Sequence, residues 1–398
     1  MIFNGAFSTD RQLNILFPSE SYEFTQPNAF ERQRSVSIAI DNWHGKVILP
    51  EGTRMAIIRG NTFDGEITLP ESLTNTSGML SGCQSFNHPV NIPDSVTNCQ
   101  GMFMLCRSLN SEVKISNNAV NCQGMFESCT NFNQDMTIPE SVVECKEMFK
   151  SCTNFNSNVL IGDSVRNAQN MFQLGFGGRL SANITWGNAI RNASGMFNGC
   201  YFFTNLIFKG SGFTQALMDC SNMFQACGID MDLDIPDSVT NCASMFLGAS
   251  ISHHVNIGSG VTNCANMFFG AQGNFSVTLN ATNANCHQMF NGASSFNAPF
   301  HIPDGSKMKS GFFYAMSYNS PITFGNNVNA YSLLLGAARF NQPVEIPYNT
   351  NCIDWMFANT PNMGCNVNLN RNLFLEKYQG NYDALHWDPD VINNTRLI

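Results

Sequence analysis

Thirteen of the fifteen cysteines fall in two columns set by a recurring Met-Phe pair, and this pattern raises thiol chemistry first. Seven stand three residues before the pair (Cys99, Cys122, Cys145, Cys220, Cys242, Cys264, Cys286), and six stand four residues after it (Cys83, Cys106, Cys129, Cys152, Cys200, Cys227). Paired thiols would form disulfides, and clustered thiolates would hold a soft metal ion. The residues that replace Cys argue against both. Ala168, Ala193, Ala330, Gly175, Ala249, Ala271, Ala293 and Ala337 occupy the same columns. Alanine cannot substitute for a disulfide partner or a zinc ligand, but it can substitute for a small buried side chain between stacked layers. The columns therefore read as core spacers, with no metal and no cofactor expected. So many unpaired thiols fit folding in a reducing cytosol.

Other catalytic constellations do not emerge. The seven histidines (His44, His88, His253, His254, His287, His301, His386) lack the HExxH spacing of a zinc hydrolase, and the Gly-rich run GFGGRL at Gly175 lacks the Lys-Ser/Thr of a P-loop. The His253-His254 pair reads as part of a solvated loop. Asn-x-Ser/Thr sequons such as those at Asn183 and Asn192 are expected by chance in so Asn-rich a chain. A non-enzyme is the expectation.

Two asparagine columns are as regular as the cysteines. One precedes the first Cys column (Asn98, Asn121, Asn167, Asn192, Asn241, Asn263, Asn285), and the other follows a recurring Phe (Asn87, Asn133, Asn156, Asn297, Asn341). An amide side chain carries donors and an acceptor, so such columns can satisfy backbone groups of their own and of the adjacent layer.

The elements that would position these columns come from the repeat. Met-Phe recurs at Met102, Met125, Met148, Met171, Met196, Met223, Met245, Met267, Met289 and Met356, with Met79-Leu80, Phe312-Phe313 and Leu333-Leu334 as variants. Intervals are mostly 22 or 23 residues, giving thirteen marked repeats between about residues 67 and 365. Two degenerate coils precede them, since WHGKVILPEG (43–52) is echoed by FDGEITLPES (63–72). Within a repeat, Cys122, Met125, Phe126, Cys129 and Phe132 have the spacing of one helix face. Met136-Thr137-Ile138 then alternates like a short strand, and Pro139 ends it. The expectation is an α/β repeat, a leucine-rich-repeat-like solenoid of about 13 to 15 coils, each a short helix plus a short strand. A single coil cannot bury its own apolar face, so stacking must supply stability.

The outward position of that strand is the candidate partner-binding surface: Thr68, Asn91, Lys114, Thr137, Leu160 and Asn183 at intervals of 23, then Asp234, Asn256, Thr278, His301 and Glu345. Stacked coils would set these side chains about 4.8 Å apart in a weakly charged face roughly 60 Å long. Residues 1–36 show no coil pattern and read as an N-terminal cap or docking segment; 37–365 form the solenoid and 366–398 a C-terminal cap.

Composition narrows the function. Charged residues make up 12% of the 398, against about 25% in ordinary domains, and the net charge is -9. A nucleic-acid binder would need a basic excess, and a membrane span needs about 18 to 20 apolar residues in a row. Neither is present, so no nucleic-acid partner and no membrane insertion are expected. The start, Met1 to Asp10, lacks the basic and apolar regions of a secretory signal.

The run CQGMFESCTNFNQDMTIPESVVECKEMF (122–149), echoed by FNHPVNIPDSVTNCQGMF (86–103), FNAPFHIPD (296–304) and FNQPVEIP (340–347), resembles the BspA-type leucine-rich-repeat family of bacterial surface proteins. The resemblance covers about three quarters of the chain. It departs from the commonest form in its IPDSV segment and in the loose coils around 174–182 and 199–214. The resemblance implies adhesive or binding roles, and similar repeats occur in bacteriophage structural proteins. Together with the missing export signal and the reduced-looking cysteines, it leads to the expectation of a bacteriophage virion protein: a fibre, tail or capsid-surface component. Its partners would be other virion proteins, through residues 1–36, and a host surface protein or glycan, with homo-oligomerisation as a further partner mode. The alternative is a cellular bacterial surface adhesin of the BspA type.

Overall fold

A computed structural model describes residues 13–16, 35–49, 51–174, 178–180, 182–203, 206–208, 212–273 and 275–398. The chain divides into two compact units, Met1–Ile190 with Asn205–Lys209, and Arg191–Thr204 with Gly210–Ile398. Each is a β-solenoid, and between them they contain about 15 turns.

In the first unit the strands are short and all pair in parallel. Leu13–Leu16 lies beside Ser35–Ala39, which lies beside Met55–Arg59. Further along, Met136–Thr137, Val159–Leu160, Ile184–Thr185 and Leu206–Ile207 form one ladder. Each such strand is only two residues long, because the next residues turn away: Val142 donates its N–H to the carbonyl of Pro139, closing the turn that the proline starts. In the second unit Leu233–Ile235, His254–Ile257 and Ser276–Leu279 form a ladder of the same kind.

The expected helix in each coil is absent. The segment Cys122–Cys129 is instead a run of linked turns: Met125, Glu127 and Cys129 donate to the carbonyls three residues back, at 3.0 to 3.2 Å. The alternating N–H groups of Cys122, Gly124, Phe126 and Ser128 point out of the coil, to the carbonyls of Glu144, Lys146, Met148 and Lys150, all 2.8 to 2.9 Å away. An α-helix would consume every one of those donors internally. Gly124 and Ser128 also adopt left-handed φ angles of 57° and 62°, which a right-handed helix excludes. The turn run buries the same i, i+3, i+4, i+7 set, so the apolar spacing did not distinguish the two. Among the described residues, α-helix is confined to Arg371–Tyr378 and Pro389–Asn393.

Stacked phenylalanines form the core of both units. Phe103, Phe126, Phe149 and Phe172 follow one another with ring centroids 5.4 to 5.5 Å apart and planes within 7° of parallel. In the second unit Phe197, Phe224, Phe246, Phe268, Phe290 and Phe312 repeat the arrangement. Each offset-stacked pair contributes about 0.5 to 1.5 kcal/mol beyond the burial of its area. Phe290 donates its N–H to Gly311 just as Phe268 donates to Met289. The marker in that coil is therefore Gly311-Phe312, one residue earlier than the expected Phe312-Phe313.

At the C-terminus Trp387 meets Phe357 edge to face at 4.8 Å, and its indole N–H donates to the carbonyl of Ile353 at 2.9 Å. Asn370 caps the helix Arg371–Tyr378 by accepting from the N–H groups of Asn372 and Leu373. Strand Thr395–Leu397 then pairs with Val367–Leu369. The docking role expected of residues 1–36 falls mostly outside the described residues.

Candidate functional site

The cysteine columns are buried as expected, but the thiols also form hydrogen bonds that the spacing did not announce. Cys106, Cys129 and Cys152 donate from Sγ to the carbonyls of Leu80, Phe103 and Phe126 in the preceding coil, at 2.9 to 3.1 Å, and Cys227 donates likewise to Phe197. In the other column Cys264 and Cys286 lie 3.0 Å apart, Sγ to Sγ. Burial pushes the Cys83 thiol up to about 12, and it raises the Cys129, Cys145 and Cys152 thiols as well. Such thiols are not nucleophiles at neutral pH. Among the described residues no cluster of three or more His, Cys, Asp or Glu is arranged to hold a metal ion.

The asparagine columns resolve into two kinds of ladder. In the first column, the side-chain oxygens of Asn98, Asn121 and Asn167 accept the N–H two residues on, opening the turn run. Their backbones form a file of parallel bridges, Asn98 to Asn121 to Glu144 to Asn167, and in the second unit Asn241 to Asn263 to Asn285. In the second column each side-chain oxygen accepts the backbone N–H of the next coil: Asn87 from Asn110, Asn110 from Asn133, and Asn133 from Asn156, all within 2.7 to 2.9 Å. In the second unit the ladder reappears through Asn297, Asn319 and Asn341. Exposed aspartates do similar work. Asp94, Asp237 and Asp304 accept the N–H groups of Asn117, Ser259 and Asn326, which hold these carboxyls below their ordinary range.

The outward strand column exists in each unit. In the first, Thr68, Asn91, Lys114, Thr137 and Leu160 are exposed. Asn91 pairs with Lys114, and Thr137 with Leu160. The register then corrects the expectation for Asn183: Leu160 pairs with Thr185, and Thr185 with Ile207. Asn183 sits just before the strand, where its N–H is taken by the side chain of Asn158. That coil carries two extra residues, so counting by 23 lands two positions early. With Leu160 and Ile207 both more than 40% exposed, this part of the face is more apolar than the spacing suggested.

In the second unit Asp234, Asn256 and Thr278 stand in one register, His301 pairs with Thr323, and Glu345 with Asn368 and then Arg396. The neighbours bond to each other. Asn256 donates to Asp234 at 3.2 Å and accepts from Asn280 at 2.9 Å, while His301 Nδ1 lies 2.9 Å from the Thr323 hydroxyl. Thr185, Thr323, Asn368 and Arg396 were missed because the sequence count followed a fixed interval rather than the strand register. The face so built can make many shallow polar contacts, and on it Thr278 Oγ1 lies 3.2 Å from His254 Nε2, whose Nδ1 is 2.7 Å from the Ser276 hydroxyl.

No curated protein matches the chain. Among solved structures, a leucine-rich repeat protein from Bacteroides ovatus is 14% identical with a TM-score of 0.44, covering 97% of this chain and 92% of its own. A leucine rich cell surface protein from Faecalibacterium prausnitzii is also 14% identical, with a TM-score of 0.37, covering 94% of this chain and 90% of its own. A family model described as "Mycoplasma protein of unknown function, DUF285" matches in overlapping windows, 27–138, 70–161, 139–237, 218–322, 240–345 and 262–372. Those windows span most of the repeats, so this chain belongs to the DUF285 family.

Proposed function

We propose that the chain is a non-enzymatic binding protein displayed on a bacterial cell surface, a BspA-type adhesin whose outward strand columns contact a protein or glycan partner. The observation that carries this reading is the register-matched strand column of the second unit, where polar side chains such as Asp234 and Asn256 are tied from coil to coil. Extended repeat faces of this kind serve as contact surfaces in many solenoids. The resemblance of the repeats to bacterial surface proteins supports the cellular form of the reading over the virion form, which nothing in the comparisons points to.

The test has two arms. Protease shaving of intact producing cells, read by mass spectrometry, should release peptides of this chain. Recovery only from purified phage particles would overturn the cellular reading. Fluorescently labelled chain carrying Asn256→Lys, Thr278→Lys and His301→Glu together should lose binding to target cells while keeping a single cooperative melting transition; retained binding would sink the strand column as the contact face.

A further inference from the structure

A second surface, on the turn side of the second unit, has a different chemistry. One position of the turn run recurs with left-handed φ at Ala226, Gly248, Gly270, Gly292, Tyr314, Gly336 and Asn359. Most of these residues are small. Tyr314 alone puts a ring there, and it is 47% exposed, so core packing does not explain it. The ring packs against the next coil: a Cβ on Gly336 would come within 2.7 Å of it. The glycine thus leaves room for the ring.

Tyr314 forms one wall of an open cavity of about 510 Å³, together with Met316, Gly336, Pro361, Asn359 and Asp388. That size falls within the roughly 300 to 1,000 Å³ of small-molecule sites. Met316 is also exposed, at 54%. Asp388 is fixed from behind: its Oδ1 accepts the Asn359 N–H at 3.0 Å and its Oδ2 accepts the Thr360 N–H at 2.6 Å and, more weakly, the Thr360 hydroxyl at 3.5 Å. A carboxylate has about four acceptor sites, so it retains capacity toward the cavity. Among the described residues, neither the Tyr314 hydroxyl nor the Asn359 side-chain amide has a hydrogen-bond partner.

We infer that this cavity is a carbohydrate subsite for a neutral pyranose. The apolar C–H face of the sugar lies on the Tyr314 ring beside Met316 and Pro361. One hydroxyl donates to the preset Asp388 carboxylate, and another accepts from the Asn359 amide. A flat aromatic wall edged by an amide and a carboxylate matches a pyranose, which is apolar on its faces and hydroxylated around its rim. The inference deepens the binding-protein reading by naming a ligand class, at a face separate from the strand column.

The test uses the full chain titrated calorimetrically with cellohexaose, maltohexaose, N-acetylchitohexaose and, as a cationic rival, arginine amide. At least one sugar should bind, and Tyr314→Gly should weaken it by about tenfold or more while the melting temperature holds or rises, because glycine adopts that φ freely. Asn359→Ala should weaken the same sugar without unfolding the chain, and Glu112→Gln, at an exposed position outside both faces, should leave it unchanged. No binding by any sugar, undiminished binding by Tyr314→Gly, or binding of arginine amide alone would overturn the subsite. Sugar failure with cell binding intact would remove the subsite and leave the surface-binding reading standing.

Discussion

The thiol of Cys129 donates to the main-chain carbonyl of Phe103, 2.9 Å away in the preceding coil. That carbonyl already accepts the N–H of Cys106 from its own turn. Cys129 therefore closes one turn while fastening another, a role that an apolar spacer of equal size cannot perform. Cys129→Ala should cost about 1 to 2 kcal/mol, combining a weak hydrogen bond with a small void. Ala271→Gly, in a coil that never had the thiol, should lack the hydrogen-bond component. Urea unfolding of the two variants would measure the difference; equal stability of Cys129→Ala and the parent would show that the thiol bond contributes nothing.

The second ladder predicts local protection. Asn110 accepts the N–H of Asn133 at 2.9 Å, in a position open to solvent. Asn110→Leu should lower stability by about 0.5 to 1.5 kcal/mol and speed hydrogen exchange at the Asn133 amide. Asn110→Asp keeps the acceptor and should restore protection at neutral pH. Unchanged exchange at Asn133 in the leucine variant would contradict the assigned role.

Acid should weaken the coil-to-coil contacts through Asp94, Asp237 and Asp304. Their carboxyls are held below the ordinary aspartate range chiefly by backbone N–H groups of the next coil. A lowered folded-state value means the contribution is fully present above the unfolded value and disappears as pH falls through the folded one. The loss therefore lies below about pH 4. Carboxyl chemical shifts followed through that range should show all three titrating late, and Asp94→Asn should flatten the decline in melting temperature.

Far-ultraviolet circular dichroism should show little helical signal. Among the described residues the α-helices are Arg371–Tyr378 and Pro389–Asn393, joined by one short 3-10 helix at Tyr382–Leu385, and the Met-Phe segments are turn runs. A spectrum with strong minima at both helical wavelengths would refute that assignment.

Alkylation should follow burial. Cys352 and Cys365 are partly accessible, whereas the column cysteines are enclosed. Iodoacetamide on the native chain should therefore label Cys352 and Cys365 first, with the columns reacting only after denaturant is added. Rapid native labelling of Cys145 would show that the core opens locally.

Much of this architecture was readable from the columns alone. A repeat gives each position the same surroundings many times over, so Cys122, Met125, Phe126 and Cys129 announced a shared buried side, and Asn133 announced a ladder. The conformation of that side was not readable, because a turn run and a helix both bury residues three and four apart. Only the direction of the N–H groups of Gly124 and Phe126 separates them, and that depends on the neighbouring coil. Asn183 failed for another reason: a two-residue insertion shifts the strand to Ile184–Thr185, and the stretched interval of 25 between Met171 and Met196, which marks it, was overlooked by a fixed count of 23. The cavity at Tyr314 did leave a trace, a bulky residue in a position otherwise held by Gly248, Gly270, Gly292 and Gly336.

The inter-coil bonds between Asn98 and Asn167 recur at a spacing of 23 residues, and no side chain there reaches farther than one coil for its ladder partner. Deleting one whole period in that stretch rejoins equivalent ladders, whereas deleting half a period strands donors on both sides of the cut. The natural unit of length change here is thus a complete coil. Recombination between repeats would lengthen or shorten the outward strand column in steps of one side chain, with the core chemistry left as it was.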